Sequence, residues 1–269
     1  MAVRPGWLWL CVVLVGPSLA VYAPAQEPEA RARQLWALGQ EAMRQGKPAE
    51  AVQYYEQSLA ADEGQKRAHL SVAAAYVQCG DEVGAARHLA EYLAAFPEHH
   101  VVRKHYAELL LRLGQPREAR GQFERFIADV QDTPELAAKY LVPCHSRLME
   151  IAKAEGDEYG EHLHRGIGLY LLARERADLP DPEEGDLSVE SVLCEAAGEL
   201  TMARMARRDE ARPSWYLFAV WSRLEQRQPA LRHLREAESL APFSDLTPAE
   251  KRDLAIACLG RDAELRRPR

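Results

Sequence analysis

The chain has 269 residues, 47% of them hydrophobic and 7% aromatic, with a formal charge of −7. That content can bury one large or two ordinary cores and excludes wholesale disorder, while the net acidity argues against a general binder of phosphate backbones. Abundant Ala, Leu, Glu and Arg with almost no Val/Ile-rich alternation point to an all-helical protein.

The N-terminus reads as a targeting segment. Arg4 precedes an apolar run over residues 7–15, and Pro17-Ser18 lead into two small-residue sites, Ser18-Leu19-Ala20 and Ala23-Pro24-Ala25. Residues 1–25 are therefore expected to be a secretory signal peptide, cleaved after Ala25 or alternatively after Ala20. The run is shorter than the roughly 20 residues a spanning helix needs, so an uncleaved anchor is the competing reading. Cleavage would leave an exported chain, periplasmic, envelope-associated or secreted, with no membrane insertion. Four cysteines then remain, Cys79, Cys144, Cys194 and Cys258, widely spaced and without a C-x-x-C pair. They are expected to be buried small hydrophobes, neither metal ligands nor a disulfide framework.

After a lead-in over residues 26–31, one pattern is stated and then repeated at a period of 34. Gly46, Gly80 and Gly114 recur, with Ala51, Ala85 and Ala119, and with bulky Tyr55, Leu89 and Phe123. Before Gly46, Leu35, Trp36, Leu38, Ala42 and Met43 fall at helical spacing, and after it Ala51, Val52, Tyr55 and Leu59 do so again. A glycine past a helix end can turn the chain in the left-handed conformation, and Pro48 suits the first turn of the next helix. Such a hairpin cannot bury its apolar face alone and must stack on copies of itself.

These residues resemble the tetratricopeptide repeat. Leu38-Gly39, Gly46, Ala51 and Tyr55 match its pattern in a first repeat, Tyr76, Gly80, Ala85 and Pro97 in a second, and Gly114, Ala119 and Phe123 in a third. The resemblance implies an all-α, right-handed α-solenoid of helix-turn-helix hairpins, about five to six repeats in all, three of them regular over residues 32–133.

Further along, Thr133-Pro134-Glu135 restarts a helix that Pro143 should kink or split. Gly156 looks like a fourth turn, yet the alanine expected five residues on is Glu161, so residues 134–176 read as a degenerate repeat with a displaced second helix. Residues 177–187, with acids at Asp178, Asp181, Glu183, Glu184 and Asp186, read as a solvated linker, since their spacing fits no calcium loop. Residues 188–242 return to repeats, the fourth and fifth being degenerate. The last hairpin carries Trp221, Ala230, Leu234, Ala237 and Pro242 but has no turn glycine. Thr247-Pro248-Ala249-Glu250 is a capping box opening a terminal capping helix within residues 243–260, which Gly260 can end before a charged tail over residues 261–269.

No signature of catalysis or cofactor binding is present: no G-x-S-x-G, no glycine-rich phosphate loop, no dinucleotide fingerprint and no H-E-x-x-H. His162 and His164 should point to different helix faces, and His99-His100 fall at a repeat boundary. No metal, cofactor or nucleic-acid partner is expected. By the resemblance, the working surface is the concave side lined by first helices. That places Arg33, Trp36, Gln40, Met43 and Arg44 there from repeat one, Arg67, Leu70, Ala74, Val77 and Gln78 from repeat two, and Lys104, Glu108, Leu111 and Arg112 from repeat three. The family's clamp for a C-terminal carboxylate needs Lys and Asn where Trp36 and Gln40 stand, so the mixture of apolar and basic groups suits an amphipathic peptide or helix bearing acids. Ordinary packing between repeats is the alternative for Trp36 and Leu70. The expectation is a non-catalytic scaffold for a protein or peptide. The competing readings are an envelope enzyme or metal-binding accessory using the histidine-bearing stretch 145–164, and self-association through the solenoid ends.

Overall fold

The computed structural model describes residues 28–177 and 188–265, which form twelve α-helices, one short 3-10 helix and the turns between them, with no strand among the described residues. The segment expected to be a signal peptide, the acidic linker after Ala177 and the end of the charged tail lie outside the described residues. The first three hairpins are α1 (Pro28–Arg44) with α2 (Pro48–Ala61), α3 (Ala68–Cys79) with α4 (Glu82–Ala95), and α5 (His100–Arg112) with α6 (Pro116–Val130). A fourth pairs α7 (Pro134–Glu155) with α8 (Glu158–Ala177), and a fifth pairs α10 (Ala211–Arg223) with α11 (Arg227–Leu240). Between them α9 (Val189–Ala206) packs along α8, and α12 (Pro248–Leu265) ends the described chain. The fold is an all-α solenoid of hairpins.

The hairpins share one turn. Gly46, Gly80, Gly114 and Gly156 all sit at φ between 70° and 76°, and in each case the two N–H groups after the helix donate back to its last turn. At Gly80, for example, Gly80 N–H reaches Val77 O at 3.1 Å and Asp81 N–H reaches Tyr76 O at 3.0 Å, the Schellman pattern. The fifth hairpin makes the same bonds without glycine: Glu225 takes the left-handed conformation at φ 58°, with Gln226 N–H on Trp221 O at 2.9 Å. The second helix begins two residues after the turn residue every time, at Pro48, Glu82, Pro116, Glu158 and Arg227.

Packing explains the recurrent residues. Ala51, Ala85 and Ala119 are fully buried at the helix crossings, and Tyr55, Leu89 and Phe123 fill the space one turn further on. Gly39 exists for Tyr55, because a Cβ there would stand 2.5 Å from the ring. The largest core cluster runs from α5 to α10 around Phe123, Phe126, Leu148 and Leu200, while smaller clusters hold the first two hairpins and the C-terminal end.

Several expectations need correction. Pro143 does not split its helix in two, since α7 runs through it from Pro134 to Glu155. Thr133 holds the N-cap position of α7 without a side-chain capping bond. The second helix of the fourth hairpin is not displaced; its start keeps register, and what changes is its buried face. Leu163, Gly166 and Ile167 are buried because α8 has neighbours on two sides, with Gly166 so close to α9 that a Cβ would stand 2.7 Å from Leu200. Gly260 does not end α12, which continues to Leu265. Of the four cysteines among the described residues, all free, only Cys144 is buried, where burial pushes its thiol up to about 12; Cys258 is half-buried, and Cys79 and Cys194 are exposed.

Replacing Glu225 by glycine should relieve a left-handed penalty and stabilise the fold by about 1 kcal/mol, and Gly114→Ala should lose a similar amount. Thermal unfolding of the two variants checks both signs.

Candidate functional site

The sequence-predicted residues occupy equivalent positions on three consecutive first helices. Trp36, Leu70 and Lys104 each stand ten residues before a turn glycine, Gln40, Ala74 and Glu108 six before, and Met43, Val77 and Leu111 three before. They share one side of the α1, α3, α5 stack. On α1, Arg33, Gln40 and Arg44 are exposed, while Trp36 and Met43 are half-buried against the first core cluster. On α3 and its N-cap, Arg67, Leu70, Ala74, Val77 and Gln78 are all exposed, Val77 at 48% and Leu70 at 37%. On α5, Arg112 is exposed, and Lys104, Glu108 and Leu111 are half-buried.

This face has its own electrostatic order. Lys104 pairs with Glu108 at 3.7 Å and lies over the Tyr140 ring, and Glu108 is also reached by Arg147 of α7 at 3.4 Å. Arg112 binds Glu82 at 2.5 Å, and Arg44 pairs with Glu41 at 2.7 Å. Arg67 stacks over Phe96, and these two with Trp36 and Ser71 line a cleft of about 530 Å³. Packing therefore brings Trp36 and Arg67, which come from successive repeats, to one cleft, with Phe96 as a wall that sequence reading did not assign.

Inside the hairpins lies a second set of polar residues, invisible until positions are counted from the turns. Eleven residues before and eight after each turn residue stand His69 and His88, Arg103 and Gln122, His145 and His164, and Ser214 and His233, the place where repeat one has apolar Leu35. The two histidine pairs are near copies. His69 Nδ1 and His88 Nδ1 are 3.0 Å apart, and His145 Nδ1 and His164 Nδ1 are 3.1 Å apart, with ring centroids 5.2 and 5.3 Å apart. Arg103, buried, donates to Gln122 Oε1 at 3.0 Å and to Pro97 O. His162 turns the other way, as expected from its spacing, and meets Glu199 of α9 at 2.6 Å. Among the described residues no group of three or more His, Cys, Asp or Glu could hold a metal ion, so the histidine-bearing middle offers a buried pair and not a ligand set.

The C-terminal end folds back onto the middle. Thr247 and Glu250 close the predicted capping box, Thr247 N–H donating to Glu250 Oε2 at 2.8 Å and Glu250 N–H to Thr247 Oγ1 at 3.2 Å. Glu250 also holds Arg212 of α10 through Nε at 3.0 and 3.1 Å. Thr247 reaches Gln131 at 2.6 Å, and Arg252 grips Asp132 through two bonds of 2.7 and 2.8 Å. Exposed ion pairs contribute little; α12 is held chiefly by burial of Leu246 and Leu254, about 1.5–3 kcal/mol each.

With this geometry in view, residues 80–140 match the family model described as tetratricopeptide repeat. The chain is similar to tetratricopeptide-repeat proteins. No curated protein sequence matches it. Solved structures with the same kind of fold include MamA (41-end) from Desulfovibrio magneticus RS-1, 16% identical over 80% of this chain and 98% of that one, with a TM-score of 0.35. Others are YrrB, described as a TPR protein with an unusual peptide-binding site (16% identity, 78% and 87% coverage, TM-score 0.34), and Pseudomonas aeruginosa PilF (16%, 86% and 99%, 0.38). Likenesses this loose concern the helical architecture and nothing of those proteins' properties. The tetratricopeptide match spans α4, the third hairpin and the first turns of α7, where the turn glycine, crossing alanine and bulky residue are all in register. The polar pairs stand outside that pattern.

Burial holds the histidine pairs neutral. It drives His145 well below 6.5 and His164 down to about 3, with each cation nearby acting in the same direction. A depressed histidine favours the fold above its unfolded value, and that stability is lost as pH falls from 6.5 toward 3. Chemical denaturation should show the fold weakening through that window by up to about 1.4 kcal/mol per pH unit per histidine. The slope should shrink in a His145→Gln, His164→Gln variant.

Proposed function

We propose that the chain is an exported, non-catalytic scaffold that binds a protein or peptide partner along the α1, α3, α5 face. The observation that carries this reading is the exposure of Leu70 and Val77 on α3, in register with Trp36 and Met43 on one side and Leu111 on the other. Apolar side chains at one spacing on three adjacent helices fit the apolar stripe of an amphipathic helix, and the cleft at Trp36 is a place for an anchoring side chain. Arg67, stacked over Phe96 at the cleft, is a point where an acid on the partner would be steered, since rim charges set orientation and on-rate more than affinity. Export rests on the N-terminal segment read from the sequence. No described helix is long and apolar enough to cross a membrane.

A double substitution, Trp36→Ala with Lys104→Glu, should cut capture of a partner from an envelope fraction at least tenfold and move the melting temperature by only a few degrees. Equal capture by wild type and variant would place the site elsewhere. Ala85→Leu is the structural control: it overfills a helix crossing and should cost on the order of 1–3 kcal/mol.

A further inference from the structure

Two cavities flank the place where the C-terminal helix meets the middle of the solenoid. One, of about 280 Å³, has Ile127, Leu148 and Ile167 on one wall and Leu246 and Pro248 on another. The second, of about 130 Å³, is lined by Leu141, Leu171 and Tyr216 together with Ala249 and Asp253. Gln131 and Glu250 line both, so the start of α12 meets the α6–α7 corner along a narrow ridge with open space on each side.

The apolar side chains on the two sides of this seam belong to different cores. Ile127, Leu141, Leu148, Ile167 and Leu171 are packed in the large central cluster, whereas Leu246 and Leu254 are packed with Ala211, Leu234 and Ala237 at the C-terminal end. The polar bonds divide in the same way. On its own side α12 is anchored: Glu250 is buried and holds Arg212 at 3.0 Å, and just before the helix Ser244 Oγ accepts from Ala211 N–H at 2.7 Å. Across the seam run the bond from Thr247 Oγ1–H to Gln131 Oε1 and the two from Arg252 to Asp132, and the Arg252 and Asp132 side chains are each more than half exposed. Exposed pairs of this kind hold weakly in water and are screened by salt. Parting the seam therefore gives up a few exposed bonds and leaves each core intact, which is the setting for a local opening below global unfolding.

We propose that the start of α12 is a strap: it opens from the α6–α7 corner as one unit while both cores stay folded, and Asp132 with Arg252 is the clasp that keeps it shut. Opening joins the two cavities into one trough and bares Ile127, Leu148 and Ile167, together with the His145 and His164 pair that lines the larger cavity. The hydrogen bonds from Arg252 hold the Asp132 carboxyl below its ordinary value, so the clasp stays charged at neutral pH.

Thiol labelling of the full chain at pH 7.5 and low salt tests this, with Cys11, Cys79, Cys194 and Cys258 replaced by Ser. Cys144 is buried in the central cluster and lines neither cavity, so it labels only when that core opens. A second thiol introduced by Ile167→Cys lies beneath the strap and should label at least about tenfold faster than Cys144. Asp132→Arg, which sets two cations against each other at the clasp, should speed labelling at position 167 by about tenfold more and leave Cys144 within about twofold. Adding Arg252→Asp restores the pair with its signs exchanged and should bring the rate back. Leu171→Cys, at the smaller cavity, should behave in the same way and decides the matter if Ile167→Cys does not fold. Labelling at position 167 or 171 no faster than at Cys144, labelling that Asp132→Arg does not move, or an acceleration that Arg252→Asp does not reverse overturns the assignment.

Discussion

A left-handed residue between two helices, followed five positions later by a side chain small enough to vanish at the crossing, sets the distance and angle of each regular hairpin. The turn satisfies the last carbonyls of the first helix, and the second helix begins two residues on, at the same offset in all five cases. With both offsets constrained, the positions facing the partner helix, the next hairpin and solvent follow. The burial of Ala51, Ala85 and Ala119 and the exposure of Leu70 and Val77 are consequences of the same geometry. Even Glu225, a residue that resists this conformation, is held in it because the helices on either side demand the turn.

Where the solenoid departs from its rule, a competing contact is present. α8 lacks a crossing alanine because it is packed on two sides, by α7 and by α9, and closeness is supplied by Gly166 against Leu200. The start of α12 then reaches back across the molecule to the α6–α7 turn, so the C-terminal half is closed on itself while the first three hairpins keep an open side. That division places the accessible apolar positions on α1, α3 and α5.

The interior of the hairpins is not uniformly dry. Polar pairs at one register position tie the two helices of hairpins two, three and four together through directional bonds, which cost desolvation but tolerate little misalignment. In repeat two the pair is locked to the preceding repeat through Glu56, and in repeat four it borders open space.

The sequence alone determined what is local and periodic: four turn glycines, three crossing alanines, the hairpins around them and the capping box at Thr247 and Glu250, because each depends on backbone conformation or on contacts within one or two turns. It also indexed the residues of the first helices to a common face. Only the tertiary structure decided the rest. The histidine pairs join residues 19 apart on different helices and carry no periodic signal unless counted from the turns. The two-sided packing of α8 hid a register that was intact, and the return of α12 joins residues 116 to 120 positions apart through side chains that look like ordinary surface charges and hydroxyls in the sequence. Long-range closure depends on where whole helices come to rest, and no spacing within a single helix encodes that.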